Sequence, residues 1–260
     1  MSAAALFQPA DGRFVASELT RGPWDRDAQH GGAPAALLMR SFEKLSTAPG
    51  LLVARVTYEF LRPVPLGPLS VHAEVIRSGR RVALLEGSLR DRDDLEVVRA
   101  RALLIQRAQT RAERQPPPPP PPPAAAARAN DMRAPFSPMF APDAIEVRFV
   151  DGSFLQSGPS TAWFRLQVAL VADERPTGLQ RLAAAADFGN GISAPISWDD
   201  HLFINPDLTV YVEREPAGEW IALKSQTRIP DDGIGVSESV LYDERGRVGR
   251  AIQSLLVAPR

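Results

Sequence analysis

A chain of 260 residues and 28.3 kDa exceeds one minimal domain and suits two of about 100–150 residues. Its 44% hydrophobic and 23% charged residues exclude a wholly disordered or collagen-like protein, and a formal charge of -1 lacks the basic excess that nucleic-acid binding demands. The absence of cysteine excludes disulfides, thiolate metal sites and a cysteine nucleophile together.

The opening Met1–Phe7 has no positive start and reaches polar Gln8 and Asp11 before a signal-length apolar core develops. No later stretch approaches the roughly 18 apolar residues of a membrane helix, so a cytoplasmic protein without a membrane partner is expected. A strand is predicted at Phe14–Leu19, then a helix over Ala33–Leu45 with apolar Ala36, Leu37, Phe42 and Leu45. Four segments with apolar residues near period two follow: Leu51–Leu61, Leu69–Arg77, Arg81–Arg90 and Val97–Arg107. Eight consecutive prolines, Pro116 to Pro123, then run into Ala124–Ala127. Such a run forms a solvated polyproline II rod of roughly 25 Å, read as a tether between folded halves or as a docking ligand for a proline-reading partner. Beyond it come strands at Ala144–Val150 and Ala162–Leu170, a helix over Leu179–Phe188, and strands at Thr209–Arg214, Trp220–Arg228, Gly235–Asp243 and Val248–Val257.

Helix followed by strands thus occurs twice in the same order. Arg62 and its following proline turn match Arg214 with Glu215-Pro216, and Val98-Arg99-Ala100 matches Gly249-Arg250-Ala251. The simplest account is a duplicated unit of the α+β class, each copy a long central helix wrapped by an antiparallel sheet. Two copies joined edge to edge would form one continuous sheet and remove an exposed edge, a pseudo-dimer within one chain. The expected divisions are an N-terminal domain at 1–114, a Pro/Ala-rich linker at 115–130 and a C-terminal domain at 131–260.

The stretch from Trp24 to Leu37, with its His30-Gly31-Gly32, resembles the helix start of hotdog-fold thioesterases, and Phe60-Leu61-Arg62-Pro63 with Arg77-Ser78-Gly79 is similar to their first long hairpin. Ala186-Asp187-Phe188-Gly189, Asn205-Pro206-Asp207 and Ala251-Ile252-Gln253 resemble the acyl-CoA thioesterase II type, a double-hotdog enzyme. The resemblance implies hydrolysis of acyl-CoA in fatty acid metabolism without a cofactor. It also implies that an Asp on the second helix, a Thr at a strand start and a Gln in the last strand hold the hydrolytic water. These fall on Asp187, Asn205 and Gln253, and Asn205 departs from the family's threonine while keeping hydrogen-bonding capacity.

Thioester hydrolysis needs a positioned water, a proton acceptor and donors aimed at the oxyanion. Asp187 follows the apolar run Ala183–Ala186, where desolvation would raise its pKa; the bland alternative is local helix termination. Gln253 in an otherwise apolar strand faces either a polar network or solvent, and the repeat register sets Ala102 opposite it, so one competent site per chain is expected. Gly31 and Gly32 let a thioester approach free amides at a helix start, or serve only the backbone turn; His30 beside them is read as an orienting or packing residue. In related enzymes such a glycine turn faces the other unit's carboxylate, which would bring Gly31 and Gly32 toward Asp187. Arg62, Arg77, Arg80 and Arg81 are candidates for coenzyme A phosphates. No metal site is expected, because His30, His72 and His201 are scattered and form no His-x-x-x-His pair. Two rival readings stand beside this one: an enoyl-CoA hydratase using Asp25 and His30, and a non-catalytic acyl-CoA binding protein. Assembly into a homo-oligomer, a dimer of double hotdogs, stays open.

Overall fold

The period-two segments become strands because their alternate residues share one core. In β5, for example, Ala83, Leu85 and Leu89 are buried while their neighbours are more exposed. The computed structural model describes residues 4–109, 118–130 and 134–260. The first half runs β1 (Ala5–Ala10), β2 (Arg13–Ala16), α1 (Gly32–Glu43), β3 (Leu51–Phe60), β4 (Gly67–Arg77), β5 (Val82–Arg90) and β6 (Glu96–Gln106). The second runs β7 (Arg128–Ala129), β8 (Ile145–Asp151), β9 (Ser160–Leu166), β10 (Ala169–Val171), α2 (Gly178–Ala186), α3 (Gly189–Ser193), β11 (His201–Ile204), β12 (Asp207–Val212), β13 (Trp220–Arg228), β14 (Ile234–Asp243) and β15 (Gly246–Pro259). The architecture is α+β, with few and short helices on one sheet.

The strands lie in the order β10-β1-β2-β4-β5-β6-β3-β12-β15-β14-β13-β9-β8-β7, with β11 beside the end of β15. The order of β4-β5-β6-β3 in the first half therefore recurs as β13-β14-β15-β12 in the second. The two sets meet at β3 and β12, antiparallel, with Val56 opposite Val210. The matched arginines make matched contacts: Arg62 Nη1 donates to the Glu96 carbonyl at 2.9 Å, and Arg214 Nε to the Arg247 carbonyl at 3.1 Å.

Both helices are buried against this sheet and against each other, antiparallel. Gly32 at the start of α1 packs on the Ala184 carbonyl, and Glu43 at its end accepts hydrogen bonds from Thr177 and Gln180 at the start of α2. Small residues make the approach possible; Ala183, Ala184, Ala185 and Ala186 are all buried. Thr177 and Gln180 form a capping box, which starts α2 at Gly178.

Several expectations need correction. The helices are not long: α1 has 12 residues and α2 has 9, ending before Asp187, after which the glycine-bearing α3 starts anew. Gly189 turns α3 onto the sheet, where a Cβ would stand 2.7 Å from Ser239 Oγ and 2.9 Å from Gln253 Oε1. The single strand at Ala162–Leu170 is two, because β10 leaves β9 to pair in parallel with β1 of the other half, Ala5 opposite Ala169. The strand at Phe14–Leu19 stops at Ala16 and passes into a 3-10 turn at Glu18–Thr20. Pro116 and Pro117 lie outside the described residues. The end of the proline run is not a free rod: Trp163 Nε1 donates to the Pro122 carbonyl at 2.7 Å, and Ala124 is buried against Trp163, Ala222 and Tyr242.

Candidate active site

The long strand β15 creates the site by pairing twice along one edge. Its Gly249–Ile252 stretch pairs with β12 and its Leu256–Pro259 stretch with β11. The connection Asn205-Pro206 between β11 and β12 therefore crosses beside Gln253, whose side chain points inward and is 1% exposed. Asp187, at the end of α2, completes the group. Asn205 Nδ2 donates to Asp187 Oδ1 at 2.8 Å, and Gln253 Nε2 donates to the same oxygen at 3.1 Å and to the Asp187 carbonyl at 3.3 Å. Gln253 Oε1 in turn accepts the Asn190 amide of α3 at 3.1 Å. The Asp187 side chain thus makes long-range bonds, and the local helix-terminating reading does not describe it.

The other carboxylate oxygen faces α1. Gly31 and Gly32 direct their amides at the Asp187 carboxyl. His30 Nδ1 lies 3.1 Å from Asp187 Oδ2 and also accepts the Gly32 amide at 3.1 Å. The His30 ring stacks on Phe188, centroids 4.2 Å apart, and lies near Phe140. The chain thus brings Gly31, Gly32 and His30 of the first half to Asp187, Asn205 and Gln253 of the second.

Burial governs the charges here. It pushes Asp187 up to about 7, against the lowering effect of hydrogen bonds from Asn205, Gly32, Gln253 and Gly31. It pushes His30 down to about 3, so the imidazole is neutral and its contact with Asp187 is a hydrogen bond, not an ion pair. Because Nδ1 already accepts the Gly32 amide, the proton in that contact belongs to Asp187 in its acid form. A neutral-pH carboxyl near half ionisation can take a proton from water and return it.

Ala102, matched to Gln253, is fully buried and apolar, so the first half carries no equivalent amide. Asp25 is not joined to His30; it is exposed, and its Oδ1 accepts the Asp27 amide at 2.9 Å. The structure shows no contact of Arg62, Arg77, Arg80 or Arg81 with the Asp187 group. Trp24 and Trp198 stack at 4.6 Å in the adjoining loops, and Trp163 and Trp220 serve the outer face of the sheet. A row of buried hydroxyls behind Gln253 had no signal in the sequence beyond strand alternation: Ser237 lies opposite Gln253 in the ladder, Ser225 bonds Ser239 at 2.7 Å, and Thr227 bonds Ser193 at 2.8 Å. Among the described residues no group of three or more His, Asp or Glu is placed to hold a metal, and no helix is long and apolar enough to cross a membrane.

Two family models match this chain, the acyl-CoA thioesterase N-terminal domain over residues 20–105 and the acyl-CoA thioesterase C-terminal domain over 107–257. No curated protein matches it. Among solved structures, it is similar to a candidate thioesterase from Novosphingobium aromaticivorans (24% identity, 98% of this chain and 99% of that one, TM-score 0.74). It is also similar to a protein of unknown function with a hot dog fold from Alicyclobacillus acidocaldarius (18%, 97% and 95%, 0.74) and to the acyl-CoA thioesterase II TesB2 of Mycobacterium marinum (16%, 96% and 94%, 0.67). These likenesses are of fold, and the fold is the hotdog.

Proposed function

Since the chain belongs to the acyl-CoA thioesterase family and is a thioester hydrolase, we propose that Asp187 is the base that activates water for attack on an acyl-CoA. The observation that carries this reading is the buried carboxyl held between two amides of the second half and the start of α1 from the first. We further read the chain as a double hotdog, units 1–114 and 131–260 joined by 115–130; the recurring strand order and the two successive family matches support it.

Asn205 and Gln253 fix the carboxylate through Oδ1, leaving Oδ2 on the side of Gly31 and His30. Water on that side gives its proton to Asp187 as its oxygen attacks the thioester carbon. Negative charge then passes from the carboxylate to the carbonyl oxygen. Protonated Asp187 releases its hold on the Gly31 and Gly32 amides as the oxyanion needs them, and the positive end of α1 favours that charge. Collapse of the intermediate breaks the carbon–sulfur bond, and the departing thiolate takes the proton from Asp187. Free acid and coenzyme A result, with atoms and protons balanced.

The test is thiol release from a panel of acyl-CoA esters by the wild type and by Asp187→Asn. Release by the wild type with loss in the variant supports the reading; equal release by both removes Asp187 from the mechanism, and ligand binding without release by the wild type favours a binding protein.

A further inference from the structure

Phe60 ends β3 on the face that carries the helices. Val56 and Tyr58 of that face are fully buried, and Phe60, next in the alternation, is half-buried at the edge of the site. Two contacts fix its place. Its amide donates to the Pro206 carbonyl at 2.7 Å, which ties it to the connection that carries Asn205. Its ring tip borders the space in front of Asp187: a methyl group on Gly31 would stand 2.9 Å from Phe60 Cζ and 2.8 Å from Asp187 Oδ2. By the spacing that matches Arg62 with Arg214, the counterpart of Phe60 in the second half is Val212, and the counterpart of Gln253 in the first is Ala102. The repeat therefore holds one such ring and one such amide, and both stand at Asp187.

The ring acts on the carboxyl by excluding water. A carboxylate oxygen beside a hydrocarbon wall loses hydration, and the loss falls most heavily on the charged form. The groups that face Asp187 from the elements packed against it are the neutral His30 before α1, the Gly31 and Gly32 amides, Asn205 and Gln253, and no neighbouring charge acts on it. Glu59, beside Phe60 in β3, and Asp207, opposite Glu59 in the ladder, take the other face of the sheet. Hydrogen bonds from Asn205, Gln253, Gly31 and Gly32 favour the ionised form, and burial outweighs all four. On the Oδ2 side, Phe60 supplies the apolar side chain that stands nearest a Gly31 methyl.

We propose that Phe60 is a positioning residue of the reaction, whose ring keeps bulk water from Asp187 Oδ2 and so tunes this carboxylate for accepting the proton of the attacking water. The role in turnover rests on the thioesterase reading, whereas the shielding does not, and two measurements take them apart. The first is the titration of the Asp187 carboxyl by carbon-13 NMR, its signal assigned by its loss in Asp187→Asn, in wild type, Phe60→Leu and Phe60→Ala. The second is the pH profile of kcat/KM for acetyl-CoA in the same three proteins. The expected result is a titration midpoint that falls by about one pH unit in Phe60→Ala and by less in Phe60→Leu, with the kinetic limb moving by the same amount. Should Phe60→Ala not fold, Phe60→Leu decides alone, since leucine is too short to place a carbon where Cζ stands. A midpoint unmoved in the folded variants overturns the inference, whatever their activity, because the ring then only packs. A moved midpoint with an unmoved kinetic limb overturns the role in the reaction. A moved midpoint without turnover of any ester by the wild type supports the shielding and defeats the thioesterase reading.

Discussion

Gly31 and Asp187 touch so closely that a methyl group at position 31 would stand 2.8 Å from the carboxylate Oδ2, with the Phe60 ring at 2.9 Å on the same side. The backbone there is ordinary helix, φ -59 and ψ -22, so glycine is required for space and not for conformation. Gly31→Ala is expected to lose about 1–3 kcal/mol of stability by overpacking and to lower kcat by displacing the base. Thermal melts and turnover check this; an alanine variant with wild-type values for both would mean that the contact is loose. Gly32→Ala, which would collide with the Ala184 carbonyl, should cost more.

Asp187 acts only when ionised, so kcat/KM for a short acyl-CoA should rise with pH through about 7 and level above it. Asp187→Asn should lose on the order of 10²–10⁴ in kcat and should lack this limb. A wild-type limb near pH 4 would show a solvated, ordinary carboxyl.

The same shift governs stability. Between the ordinary carboxylate range and about pH 7 the folded chain holds a proton on Asp187 that the unfolded chain has released, so stability falls as pH rises across that window. The full effect is on the order of 4 kcal/mol. His30 works oppositely: with its pKa pushed down to about 3, stability falls as pH drops from about 6.5 toward 3. Asp187→Asn should therefore melt above the wild type at pH 8, with the difference shrinking toward pH 4. Parallel melting curves across that range would contradict the assignment.

Gln253 joins Asp187 to the Asn190 amide. Gln253→Ala leaves that buried N–H unpaired, at a cost of about 1–3 kcal/mol, and frees the carboxylate to turn. Denaturant melts should show the loss, and kcat should fall more than KM rises. An unchanged kcat in a stably folded variant would limit Gln253 to packing.

Away from the site, Asp243 is fully buried and paired with Arg214 Nη1 at 2.6 Å. Arg214→Ala should destabilise by about 3 kcal/mol, because the buried Asp243 carboxylate loses its counter-charge and keeps only the backbone N–H donors of Ala217 and Arg245. Its activity per folded molecule should stay close to wild type, which makes it a control for the site variants.

The strands from Leu51 to Arg107 and from Thr209 to Val257 were readable because side-chain alternation is a local property that burial of one sheet face enforces. The helix starts were readable for similar reasons, from Gly31-Gly32 and from the apolar period that follows. The pairing of β10 with β1 was not, since three residues carry little pattern and their partner is far along the chain. The break after Ala186 was hidden too, because the helical period continues through Phe188.

For the site, residue types pointed to Asp187 and Gln253, but whether Gln253 faced inward was undecided until β15 was seen pairing with both β11 and β12. Composition, alternation and the repeated order of elements are written along the chain and reach a duplicated α+β unit; the hotdog fold and the family came from the resemblance carried by the segments around Gly31-Gly32, Asp187 and Gln253. Desolvation is not written there. It depends on how many distant atoms surround a group, and only the docking of α1 on the end of α2 gives Asp187 a pKa near 7 and His30 a neutral ring.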